Sequence, residues 1–162
     1  MEHKKIRFEM ANGDVFTAEL YPEYAPATVE NFVSLVEEGF YDGLTFHRVI
    51  SGFMVQGGDP DGTGMGGSDQ TIVGEFASNG FKQNTLAHTR GVLSMARSMM
   101  PNSASSQFFV MHADAPHLDG NYAAFGKVIE GIEAIDHIAE VSTDMSDRPL
   151  ERVVMEKVCV VE

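Results

Sequence analysis

A small closed barrel of about eight antiparallel β-strands, capped by two α-helices, is the architecture written into this sequence. Three features point to it. Most apolar runs are short, of strand length, and rich in β-branched and aromatic residues. Only two stretches carry a helical period. Two helices cannot cover both faces of so many strands as crossovers, which argues against a parallel doubly wound sheet and for an antiparallel sheet closed on itself.

The elements follow in chain order. Lys5 to Tyr21, KIRFEMANGDVFTAELY, reads as two strands with alternating faces joined at Asn12-Gly13, a pair that tolerates positive φ in a tight hairpin turn. Pro26 opens a helix whose apolar residues Val29, Phe32, Val33 and Val36 follow the i, i+3, i+4, i+7 spacing. It runs to Glu38, with Gly39 free to take the left-handed C-terminal position. LTFHRVI and FMVQ are the next strands, and the glycine-rich Gly57 to Gly74 is a loop within the domain. VLSMA, QFFVM and AAFGKVI follow as strands. Ile132, Ile135, Ile138 and Ala139 then mark the second helix after Gly131, and RVVMEKVCVV is the last strand. Phe8, Phe16, Phe32, Phe46 and Phe125 are expected in the core. No repeat or linker appears, so 1–162 reads as one domain.

Composition narrows the function classes. With 43% apolar and 22% charged residues the chain can bury a globular core. Its net charge of −13 repels phosphate backbones and anionic headgroups, arguing against nucleic-acid and membrane partners. A lone cysteine, Cys159, closes no intramolecular disulfide and reads as a buried small hydrophobe in VCVV. The opening MEHKKIRFEM has no apolar signal core. A cytoplasmic protein is therefore expected, and a monomer by default.

Several motifs are set aside. Gly62-Thr-Gly64-Met-Gly66-Gly67 matches G-x-G-x-x-G, but SDQTIVGEF after it has no helical period, so it reads as a tightly turning loop and not as a nucleotide cradle. The histidines lack a ligand set with metal spacing, so no metal is assigned. No G-x-S-x-G pentapeptide marks a hydrolase elbow. Met99 and Met100, in the loop before Pro101, are taken as flexible apolar filler over a contribution to the groove rim.

Three segments combine an arginine, amides and large apolar side chains: FHRVISGFMVQGGD (46–59), SMARSMMPNSASSQFF (94–109) and PHLDGNYAAFGKV (116–128). On these residues the chain resembles the cyclophilin family of peptidyl-prolyl cis-trans isomerases, most of all its small single-domain bacterial members. The resemblance runs from the first hairpin to the last strand, and FHR-x-x-x-GFM-x-QGGD is a long, specific string. It implies an eight-stranded barrel with a substrate groove on the outer wall, and no cofactor.

Carried over by position, the catalytic group is Arg48, Gln56 and Phe53. Substrate-binding residues are Met54, Ala96, Arg97, Gln107, Phe109, Leu118 and Tyr122, with Gly64 and His117 at the rim. In these roles Arg48 meets the twisted imide nitrogen, Gln56 holds the guanidinium, and Phe53, Met54, Phe109 and Leu118 wall the proline. The Arg97 backbone and the Gln107 amide align the preceding peptide. Expected partners are proline-containing peptides and unfolded or folded protein clients; a binding or chaperone module with incidental turnover is the alternative. Many eukaryotic members have tryptophan where this chain has His117, histidine at Tyr122 and Asn-Ala at Arg97-Ser98. Loss of the indole N–H predicts weakened binding of cyclosporin.

Overall fold

The computed structural model describes residues 3–161, so the first two residues and the last of the expected domain lie outside it. Eight antiparallel strands form one sheet: β1 (Lys5–Met10), β2 (Val15–Leu20), β3 (Phe46–Ile50), β4 (Met54–Gly57), β5 (Val92–Met95), β6 (Phe108–Met111), β7 (Ala124–Glu130) and β8 (Met155–Val161). Their spatial order is β3-β4-β6-β5-β7-β2-β1-β8. The sheet curls until its two ends meet, but no full ladder closes it. Closure rests on the Thr45–Val154 bridge, where the Phe46 N–H donates to the Val153 carbonyl at 2.9 Å and the Met155 N–H to the Leu44 carbonyl at 2.7 Å.

Helices α1 (Pro26–Glu37) and α2 (Ile132–Ala139) close the two ends. Helix α1 starts at its proline, and Gly39 beyond its end has φ +74°. Its first turn has no local side-chain cap. Instead Glu75, 2% exposed, reaches from 47 residues away, accepting from the Thr28 N–H at 2.6 Å and the Ala27 N–H at 3.1 Å. A carboxylate at a helix N-terminus satisfies orphan donors and the dipole together. The helix buries Phe32 against Tyr41, Phe108 and Phe125 at ring separations of 5.1, 5.3 and 5.0 Å. All five phenylalanines expected in the core are at most 1% exposed.

Three details differ from the sequence reading. In the first hairpin only Gly13 takes positive φ (+96°). The Gly13 N–H donates to the Met10 carbonyl and the Met10 N–H to the Asp14 carbonyl, so the loop has three residues and ends on one left-handed glycine, not the two-residue turn an Asn-Gly pair suggests. Cys159 is only half-buried, on β8, a terminal strand in the sheet order. Met99 and Met100 fill nothing: they are 96% and 68% exposed on the loop between β5 and β6.

Candidate active site on the barrel wall

A bulge in β3 creates the site. Phe46 pairs with Gly57 and Arg48 with Gln56, so His47 is the extra residue opposite a single step of β4. Bulges re-aim the side chains beside them, and here Phe46 turns into the core while Arg48 faces outward. The register continues across the sheet: Gln56 pairs with Phe109 and Phe109 with Ser94. Directly opposed residues share a face, so Arg48, Gln56, Phe109 and Ser94 form one row over four strands. Ile50, Met54 and Met111 form the next.

This outer wall carries its own apolar cluster, separate from the barrel core. It contains Met54, Phe109, Met111, Ala115 and Leu118, with Phe53, Ala96 and Tyr122 packed against it. Above it lies a recess of about 250 Å³ lined by Arg48, Gln56, Phe53, Met54, Ala96, Arg97, Phe109, Leu118 and Tyr122. Phe109 stands edge-on to Tyr122 at 5.7 Å. An open notch with aromatic walls and a single polar side takes a small ring, not a long polar substrate.

On the polar side the amides form a directed chain. An Arg48 Nη1–H donates to Gln56 Oε1 at 3.3 Å, and Gln56 Nε2 donates to Gln107 Oε1 at 2.9 Å. Gln107 Nε2 donates to the carbonyls of Gly64 and Gly66 at 3.0 and 2.8 Å. Each amide is oriented by the next, which keeps the Gln56 oxygen toward the guanidinium. Gln56 is the only hydrogen-bond partner of Arg48 among the described residues, and Arg48 forms no ion pair among them. The remaining N–H donors of its fork face solvent and the recess.

The chain ends on a loop folded around a carboxylate. Asp59, 1% exposed, accepts from the backbone N–H groups of Asp61, Thr63, Gly64 and Gly66 at 2.6–3.1 Å. Burial pushes the Asp59 carboxyl up, but these donors outweigh it and hold the group below its ordinary value. The glycine motif at 62–67 is therefore an amide nest already filled by the chain's own carboxylate. Gly58 before it has φ +91°, and a Cβ there would stand 2.6 Å from the Ser106 carbonyl oxygen, so only glycine lets the chain turn from β4 into this loop.

Nine of the twelve residues predicted from sequence line the recess. Gly64 and Gln107 stand behind it: both hydrogens of the Gln107 amide and its oxygen are used within the protein, so its side chain is turned away from a peptide and toward Gln56. His117, exposed, stacks on Phe53 at 5.8 Å and borders the recess. The Arg97 side chain has a place of its own, between the rings of Phe76 and Tyr122 at 4.6 and 4.8 Å, with Nη2–H on the Asn121 carbonyl at 2.6 Å. Sequence reasoning missed Asp59, Phe76 and His88. The aspartate ended a quoted motif, and the glycines after it were the available signal. Phe76 and His88 lie far along the chain from the recess, and only the fold brings them there.

A curled barrel with an apolar notch on its outer wall and the Arg48 guanidinium beside it defines a class: a protein whose outer wall can receive a small apolar group. The comparisons with known proteins agree. The family described as "Cyclophilin type peptidyl-prolyl cis-trans isomerase/CLD" matches residues 5–160. The chain is 43% identical over 148 residues to peptidyl-prolyl cis-trans isomerase CYP18-1 of Arabidopsis thaliana, covering 91% of this chain and 90% of that one. It is 46% identical to the ppi1 isomerase of Schizosaccharomyces pombe, covering 88% and 94%. It also matches peptidyl-prolyl cis-trans isomerase-like 2 of Gibberella zeae at 43% identity, spanning 26% of that longer protein. Among solved structures, a cyclophilin-type isomerase of Cryptosporidium parvum superposes with a TM-score of 0.89 at 31% identity, covering 99% of both chains. The same protein was solved in the presence of the dipeptide Ala-Pro, with a TM-score of 0.88, 32% identity, and 98% and 99% of the chains covered. This chain belongs to the cyclophilin family and is a peptidyl-prolyl cis-trans isomerase of that type.

Proposed function

We propose that Arg48 supplies the catalysis and that the apolar recess holds the proline ring of the substrate. Rotation about an X-Pro bond faces a barrier of ~18–20 kcal/mol because it breaks amide resonance. No bond forms or breaks. In the twisted state the nitrogen regains a localised lone pair, so a fixed donor beside it binds that state better than either planar one. Bringing tens of seconds down to milliseconds requires roughly 6 kcal/mol of such differential binding. A guanidinium in water would not supply it. Here Phe53, Met54, Phe109 and Leu118 exclude solvent around the ring and fix it while the rest of the peptide turns. Gln56 holds the fork in place.

The observation that carries this reading is the row Arg48–Gln56–Phe109, which sets an arginine with free donors on the same face as the recess floor. Gln107 acts through Gln56, and the Arg97 backbone is the group left to align the peptide before the proline. Substrates are proline-containing segments of unfolded or folded clients, taken with broad sequence tolerance because only the ring and its flanking backbone are held. A monomer located in the cytoplasm completes the proposal; the single cysteine supports the location. His117 on Phe53 offers an imidazole in place of an indole, so cyclosporin is expected to bind weakly. Nanomolar inhibition would contradict that. The mechanism itself is tested by the solvent isotope effect on kcat/KM for an Ala-Pro tetrapeptide. With no proton in flight the ratio in H2O over D2O is close to unity, whereas a ratio above about 2 would mean general acid or base chemistry.

A further inference from the structure

His88 is a buried titratable residue to which the mechanism above gives no part. Its side chain is fully covered. The His88 N–H donates to Asp119 Oδ1 at 2.6 Å, and its carbonyl accepts from the Ala115 N–H at 2.8 Å. Nδ1 lies 3.0 Å from the same Asp119 oxygen, and Nε2 2.8 Å from Ser94 Oγ. A carboxylate only accepts, so Nδ1 carries the proton and bare Nε2 accepts the Ser94 hydroxyl. The Asp–His–Ser order looks hydrolytic, but Ser94 is wholly buried and no substrate reaches it.

What the imidazole touches gives it another role. Its ring lies nearly parallel to that of Phe109, 19° apart with centroids at 6.1 Å, and Ser94 is the cross-strand partner of Phe109. Asp119 ends the 3-10 turn Pro116–Leu118, which carries Leu118 and His117. One side chain thus spans the floor of the recess and its rim.

We propose that neutral His88 is a positioning residue of the isomerase site, holding the Phe109 floor and the Leu118 rim in the register that grips the proline ring. The inference rests on the isomerase reading above. Protonation would place a charge without water around it and turn Nε2 into a donor, leaving the Ser94 hydroxyl hydrogen with no acceptor. The groups facing the ring are Asp119 and His117 from the rim turn, uncharged Ser94 from β5 and Phe109 from β6. Burial outweighs the bond and charge of Asp119, and His117 adds to it, so His88 titrates below the ordinary value of about 6.5. The grip is intact at neutral pH and loosens on acidification.

The test is steady-state kinetics on an Ala-Pro tetrapeptide from about pH 5 to about pH 8, with NMR titration of the imidazole, for the parent, His88→Gln and Ser94→Ala. Glutamine can donate to Asp119 and accept from Ser94 but does not titrate. In the parent, KM is expected to rise at least about fivefold on the acid side while kcat moves less than about twofold, as lost uniform binding requires. The limb should coincide with the His88 midpoint and vanish in His88→Gln. In Ser94→Ala, limb and midpoint should move upward together. An acid limb that survives in His88→Gln, or a midpoint that moves in Ser94→Ala while the limb stays, overturns the proposal, and the second arm decides if the glutamine variant does not fold. A parent inactive at neutral pH would defeat the isomerase reading itself.

Discussion

The guanidinium of Arg48 has five donors and one protein partner, so removing it strips the recess of its donors without orphaning anything buried. Arg48→Ala is expected to lower kcat/KM by about 10²–10³, the scale of losing a preorganised donor. The melting temperature should stay within about 2 °C, as for an exposed residue. Arg48→Lys keeps the charge but loses the planar fork, and recovers only part of the rate; full recovery would show that charge alone suffices. Residue identities in the recess were largely legible in the sequence because they fall in short contiguous strings, FHR, GFM-x-Q and QFF. Their mutual orientation was not. That Gln107 spends its amide on Gln56 and two loop carbonyls depends on the fold of residues 59–66, which no local pattern encodes.

Among the elements, the loop from Gly58 to Gly66 is the most exposed to single changes. Asp59→Ala would remove the buried acceptor of four backbone N–H groups, and a loss of about 2–4 kcal/mol is expected from denaturant unfolding. The recess should suffer too, since Gly64 and Gly66 anchor Gln107. Unchanged stability would mean that the nest refills with water at no cost. Helix α1 depends likewise on a distant group: Glu75→Ala removes the acceptor of two N-terminal amides and the Thr28 hydroxyl, and should destabilise by about 2–3 kcal/mol. Helical period, proline and glycine made α1 legible to within a residue, because those signals are local. The Glu75 cap, the β3 bulge and the bridge closing β3 to β8 are long-range and left no mark in the string. The three-residue first hairpin shows the same limit at short range, since Asn-Gly serves more than one turn.

Over the whole molecule, two buried histidines set the acid behaviour. Burial is the largest cause pushing both His47 and His88 below the ordinary value. His47 has no partner for either ring nitrogen among the described residues. The unfolded chain therefore binds protons that the folded one refuses, and stability is full above about pH 6.5 and falls as pH drops, by up to about 1.4 kcal/mol per unit per site. Exposed His137, raised by Asp14, works weakly in the opposite sense. Urea midpoints that do not fall between about pH 6.5 and about pH 5 would contradict this. The −13 charge acts at longer range: peptides with lysine flanking the proline should show a higher kcat/KM than those with glutamate, and the gap should close in about 1 M salt.

Exchange NMR on an Ala-Pro tetrapeptide, with parent and Arg48→Ala compared at equal occupancy of the recess, separates turnover from binding. The loss of cis-trans exchange by about two orders of magnitude, with peptide affinity held within about threefold, is the predicted result. Exchange that persists at the parent rate in Arg48→Ala would show that the arginine is not the group that meets the twisted nitrogen.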